Sequence, residues 1–158
     1  MKDLEQMLEL LEQKRLYFLH YEKEMEALPL LPVEELDPCV QRGAILIEKI
    51  EELDSRLKQL AQQNGSLARS ALHHDCDRSQ LSADLGKLYD ASMAVKAVAS
   101  RILQNDATVR ERIAFERDKA LNSLKEMSQR SSSVASKYKR SAETGLSGAL
   151  AEPKGKEV

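Results

Sequence analysis

The sequence predicts an all-α protein: an elongated antiparallel helical bundle or coiled coil of three or four long helices, followed by a disordered C-terminal tail. Three observations carry that prediction. Charged residues make up 32% of the 158-residue chain and aromatics only 4%, with no Trp. Strands draw on aromatic and β-branched side chains to cover a pleated surface, and this composition is poor in them. Apolar residues recur at alternating steps of three and four over long stretches, the signature of one helix face. The chain holds only six Gly and four Pro, and three of the prolines (Pro29, Pro32, Pro38) sit together. A chain of this length can bury a real core as one domain. The expected boundaries are a helical domain over residues 1–140 and a tail over 141–158.

The first helix is expected from about Lys2 to Leu28. Steps of three and four give Leu4, Met7, Leu11, Lys14, Phe18, Tyr21, Met25 and Leu28, with Lys14 the one polar member. Leu8, Leu10 and Leu19 widen this seam, which favours burial against two neighbours. Asp3 stands where a cap is needed, with Gln6 three residues on. Proline restrains the residue before it and lacks an amide donor, so Pro29 ends this helix.

Asp37-Pro38 reads as the next helix start, with an acceptor at the cap and proline at the first helical position. The stripe of the second helix is Cys39, Gly43, Leu46, Ile50, Leu53, Leu57, Leu60, Asn64, Leu67 and Ala71. Its register survives Asn64-Gly65, which favours continuation through the glycine over a glycine cap. His73-His74-Asp75-Cys76-Asp77 is then a polar connection, with Asp77 and Gln80 in capping-box positions. The third helix carries Leu81, Leu85, Leu88, Ser92, Val95, Ala99 and Ile102. Its stripe passes through Asp106 to Val109, Ile113, Ala120, Leu124 and Met127. Asn105-Asp106 and Thr108-x-x-Glu111 offer a break, but the unbroken register favours one helix from about Arg78 to Gln129. Ser131-Ser132-Ser133 weakens helix propensity, Val134 and Tyr138 suggest a last partial turn, and Gly145, Gly148, Pro153 and Gly155 mark the tail.

Charge is unevenly distributed. Residues 1–60 hold eight Lys and Arg against fourteen Asp and Glu, and residues 101–140 hold ten against five. Either oppositely charged helices lie side by side, or the C-terminal half presents a basic recruiting surface. The net charge of −2 implies neither a nucleic-acid nor a membrane partner by bulk attraction. No window approaches the ~18 apolar residues of a membrane span, and the N-terminus shows no apolar signal region. A cytoplasmic protein with reduced Cys39 and Cys76 is expected.

Chemistry is sparse. His73, His74, Asp75, Cys76 and Asp77 are adjacent, whereas zinc needs three or four ligands converging tetrahedrally. A capped polar turn explains them better, so no metal and no cofactor are expected. Cys76 two residues after His74 is weak evidence for a nucleophile, and Cys39 reads as a small core residue. No Glu-x-x-His pair, phosphate loop or nucleophile elbow is present, and a binding protein rather than an enzyme is expected. The apolar seam of the C-terminal half (Val109, Ile113, Phe115, Leu121, Leu124, Met127) either packs within the chain or a homo-oligomer, or offers itself to an amphipathic helix of a partner.

The run Leu10-Leu11-Glu12-Gln13-Lys14-Arg15-Leu16-Tyr17 is followed by a short acidic, proline-containing turn. Then come Ile45 to Leu57, Ile102-Leu103-Gln104-Asn105-Asp106, Ile113-Ala114-Phe115 and Leu121-Asn122-Ser123-Leu124. Over roughly residues 4–140 this layout resembles the FlgN-like flagellar export chaperones. The resemblance implies a bacterial type III secretion chaperone. Such a protein binds the C-terminal amphipathic helix of hook-associated subunits, keeps them export-competent and delivers them to the export apparatus. It implies client binding at Ile113, Leu121 and Leu124, to which Val109, Ala120 and Met127 are added because they share the stripe. The alternative is a structural coiled-coil protein that self-associates through its stripes and has no client.

Overall fold

The structure is a computed structural model that describes residues 3–145. Its helices are α1 (Leu4–Ala27), α2 (Val33–Gln63), α3 (Ser66–His73) and α4 (Ala83–Gly145), with single 3₁₀ turns at Leu28–Leu30 and Arg78–Gln80. No strand occurs among the described residues, so the fold class is all-α. The chain divides into two units, Met1–Ile113 and Ala114–Val158.

In the first unit α1 and α2 run antiparallel. The order of their polar contacts proves it: Asn64 Nδ2 donates to Asp3 Oδ2 at 2.9 Å, Lys14 pairs with Asp54, and Arg42 donates to Glu24 at 3.0 Å. The sequence seam is the contact face. Cys39, Gly43, Leu46, Ile50, Leu53 and Leu57 are all buried along α2; Leu53 and Leu57 pack with Leu4, Met7, Leu10 and Leu11 of α1, and Cys39 packs with Leu28 at its far end. Each such leucine contributes roughly 1.5–3 kcal/mol when fully removed from water. Lys14, the polar seam position, keeps its ammonium on the Asp54 carboxylate and 5.9 Å from the Phe18 ring centroid. A polar pair in an apolar seam penalises slipped registers. Gly43 lets the helices approach closely, since a Cβ there would stand 3.0 Å from Met25 Cε and 3.1 Å from Tyr21 Cε2.

The 83–113 portion of α4 completes this unit. Leu88 and Val95 join the core of Leu4, Met7, Leu11, Leu53 and Leu57. Further along, Arg101 clasps Glu22, and Val109 packs with Leu28, Leu36 and Cys39. The contacts advance along α1 as they advance along α4, so these two segments are parallel. Ser92 Oγ donates to the Leu72 carbonyl at 2.6 Å, tying the end of α3 to α4. In the second unit, α4 continues from Ala114, and the described side chains from Arg117 onward are exposed.

Several boundaries differ from the sequence expectation. Helix α2 begins at Val33 with Pro32 as its cap, which leaves Pro38 inside the helix. Leu36 and Cys39 are buried there, and Glu34 and Glu35 sit in the first turn, where the helix dipole favours acid. Those gains outweigh one missing amide bond near the end. The second helix does not continue through Asn64-Gly65. Asn64 Nδ2 caps the Leu60 carbonyl at 2.7 Å, and Gly65 adopts φ 96° and ψ 175°. That conformation is essentially restricted to glycine. Beyond the break the expected stripe holds at Ala71, which is buried, and fails at Leu67, which is 61% exposed while Ala68 takes the buried place.

Asp77 caps only the 3₁₀ turn, accepting from the Ser79 amide at 3.0 Å. Helix α4 starts later, at Ala83, where Ser82 Oγ accepts from the Leu85 amide at 3.3 Å. From there α4 is one helix, as its register suggests, and it passes through the serine triplet to Gly145. Of the expected tail, residues 141–145 belong to that helix, and 146–158 lie outside the described residues.

Candidate helix-binding surface

The six residues expected to form the binding surface fall into two sets. Val109 is only 8% exposed, and Ile113 is partly buried against the same cluster of Leu28, Leu36 and Cys39. The turn between α1 and α2 covers them. Arg112 locks that cover, donating to the Leu31 carbonyl at 2.9 Å and to the Pro29 carbonyl. Val109 therefore serves the core and has no face to offer.

Ala120, Leu121, Leu124 and Met127 are exposed, Leu124 at 61% and Met127 at 63%. Val134 and Tyr138, where the sequence suggests only a last partial turn, are exposed as well. Steps of four, three, seven and four connect Ala120, Leu124, Met127, Val134 and Tyr138, so they share one side of the helix. Leu121, Ser128 and Ala135 border them at seven-residue intervals. The signal that extends the stripe was present in the spacing, but the serine triplet disguised it. Large side chains (Leu124, Met127, Val134, Tyr138) alternate with small ones (Ala120, Ser128, Ser131), a relief into which a second helix can interdigitate. Phe115 is exposed too, but its position places it on the opposite side of this helix.

The other edge of the stripe is polar. Glu116, Ser123, Arg130 and Lys137 follow one another at steps of seven. Arg130 and Lys137 are exposed.

The remaining candidates for chemistry are separately placed. His74 closes α3 in the left-handed conformation, φ 59°. Its ring meets Tyr89 edge-on, with centroids 5.2 Å apart. Burial, reinforced by the nearby Lys96, lowers its pKa and favours the neutral ring. His73 instead faces a cleft of about 250 Å³ lined also by Lys14, Asp54, Lys58, Ser92 and three leucines. No group of three or more His, Cys, Asp or Glu among the described residues could hold a metal ion. Neither cysteine is in a disulfide. Cys39 is a core residue whose thiol pKa is pushed up by burial and by the Glu24 carboxylate that its Sγ approaches at 3.5 Å. Among the described residues no helix is long and apolar enough to cross a membrane.

The arrangement that stands out is thus a bare apolar stripe on a solvent-facing helix, joined to a unit with its own closed core. No protein-family model matches the chain, and neither a curated protein nor a solved structure matches it.

Proposed function

We propose that this protein is a cytoplasmic, non-enzymatic export chaperone of the FlgN-like kind. It binds the C-terminal amphipathic helix of a hook-associated export substrate along Ala120, Leu121, Leu124, Met127, Val134 and Tyr138. The observation that carries this reading is the exposed stripe itself. Large apolar side chains spaced along one helix are normally covered, and a contiguous uncovered set marks an interaction surface. An amphipathic client helix is the complementary shape, read at the same three- and four-residue spacing. Covering about 800 Å² on each partner is enough for a specific contact. Delivery to the export apparatus requires release, which a contact confined to one helix face allows.

The test uses a peptide of the C-terminal helix of a hook–filament junction protein from the host. Binding to the full chain should be lost in Leu124→Asp/Met127→Asp, while far-UV helicity and the thermal midpoint stay unchanged. A peptide that fails to bind the unaltered chain refutes the proposal. So does a double variant whose helicity and midpoint collapse, because the stripe would then be core.

The same exposure favours a second reading, self-association through the stripe. Light scattering separates the two. A stable homo-oligomer that the double variant converts to a monomer, and that ignores the peptide, supports the structural coiled-coil alternative.

A further inference from the structure

The charge beside the stripe changes along its length. Residues 114–126 contain three basic and three acidic residues, whereas residues 127–142 contain four basic residues and no acidic one. Arg130 and Lys137 lie seven residues apart on one edge of the stripe, and both are exposed. The opposite edge there is Ser128 and Ala135, small enough for a partner backbone to come close. Three acidic residues of the N-terminal half already have basic partners of their own. Asp54 is engaged by Lys14, Glu22 by Arg101 and Glu24 by Arg42 within the first unit.

From this gradient we infer the partner's chemistry: an amphipathic helix whose apolar seam is flanked by Asp and Glu over the half that lies on residues 127–138, and by neutral or mixed residues over the half that lies on 114–126. The inference rests on the helix-binding reading given above and specifies the partner. Flanking charge is the usual means by which paired helices select partner and orientation. It is also the natural source of discrimination here, because a seam broken by Ser128 and Ser131 is chemically undemanding. An anionic membrane would satisfy the same basic residues, but the serines and alanines leave its apolar face shallow, and no Trp is present to anchor it.

Three synthetic peptides decide the matter. They share one apolar seam and differ only in the flanking positions of one half, which carry Glu, Gln or Lys. Their binding to the full chain is read by fluorescence anisotropy, with the charged half placed at either end to match either orientation. At about 50 mM salt the Glu peptide should bind about fivefold tighter than the Gln peptide, the effect of two exposed ion pairs. The Lys peptide should bind weakest. The advantage should shrink at about 300 mM salt, where screening is strong. Arg130→Glu/Lys137→Glu should transfer the preference to the Lys peptide without changing helicity. Equal binding of all three peptides in both orientations overturns the inference and leaves the helix-binding reading standing. Failure of all three to bind overturns both, as does binding to phosphatidylserine vesicles by a chain that ignores the peptides.

Discussion

Residues 83–113 and residues 114–138 belong to one α-helix and carry apolar side chains at the same spacing, yet they meet opposite fates. Leu88, Val95, Val98 and Val109 are buried. Leu121, Leu124, Met127, Val134 and Tyr138 are at least half exposed. The difference is not in hydrophobicity, since leucine and valine occur in both. It lies in what the rest of the chain supplies. The first segment is met by Leu4 to Leu11, by Leu53 and Leu57, and by the α1–α2 turn. A periodic stripe thus specifies which side of a helix seeks cover, and only the tertiary contacts specify who covers it.

The sharpest way to break this comparison is to make the same truncation in both regions. Leu88 is fully buried and meets core residues from α1 and α2. Leu88→Ala should cost about 2–5 kcal/mol, the sum of lost transfer energy and a cavity. Leu124→Ala should change stability by no more than about 0.5 kcal/mol, as exposed substitutions do. Urea denaturation of the two variants measures both. Equal losses would mean that residues 114–138 are covered in solution, and the contrast between the segments would disappear.

Much of this organisation was legible in the sequence, and the misreadings have physical causes. The α2 stripe from Cys39 to Leu57 is buried at each of its six positions. There the helical period, the absence of internal breakers after Pro38 and the burial demand all agree. At Asn64-Gly65 they conflict. The register continued, but local turn chemistry prevailed, because Asn64 can cap Leu60 and Gly65 can adopt a backbone conformation closed to other residues. Pro38 misled in the opposite sense. Proline is welcome at the first position of a helix and costly further in, yet Pro38 stands inside α2, where Leu36 and Cys39 on either side of it gain burial. For the proposed binding surface, the spacing that links Val109 to Met127 was legible, whereas the boundary at Ile113 between covered and bare was not. That boundary depends on where the Leu28–Leu36 turn comes to rest.

A second prediction bears on the break that ends α2. Gly65 has open space around its Cα, so an added methyl group would meet nothing within 4 Å. Its cost is therefore purely conformational. Gly65→Ala should destabilise the first unit by roughly 1–3 kcal/mol through the strained backbone alone. Thermal melting reads this loss. An unchanged midpoint would mean that the backbone at 65 relaxes into a continuous helix, as the apolar register invites. Residues 114–138 should be indifferent to this change, and any peptide affinity measured there should not move.

The smallest expected effect concerns pH. The Arg42 guanidinium, bonded to Glu24 Oε2 through Nε at 3.1 Å and Nη2 at 3.0 Å, holds that carboxyl below the usual glutamate range. Burial opposes this shift and a bond from Cys39 assists it. Glu22 is lowered in the same way by Arg101. A carboxyl with a depressed pKa in the folded state stabilises the fold above the usual glutamate range, and that contribution is lost as the pH falls through the depressed value. The first unit should therefore weaken on acidification from about pH 6 to about pH 3. Arg42→Gln should flatten that decline by lowering stability at neutral pH and not in acid, and the loss should be small because its guanidinium is largely exposed and screened. The stretch 127–142 has no carboxyl side chain to protonate. Its own helicity should not fall through this mechanism, so acid should weaken the covered segment of α4 and spare residues 127–142. A urea midpoint with the same acid slope in Arg42→Gln as in the unaltered chain would show that the Glu24–Arg42 pair contributes nothing to that asymmetry.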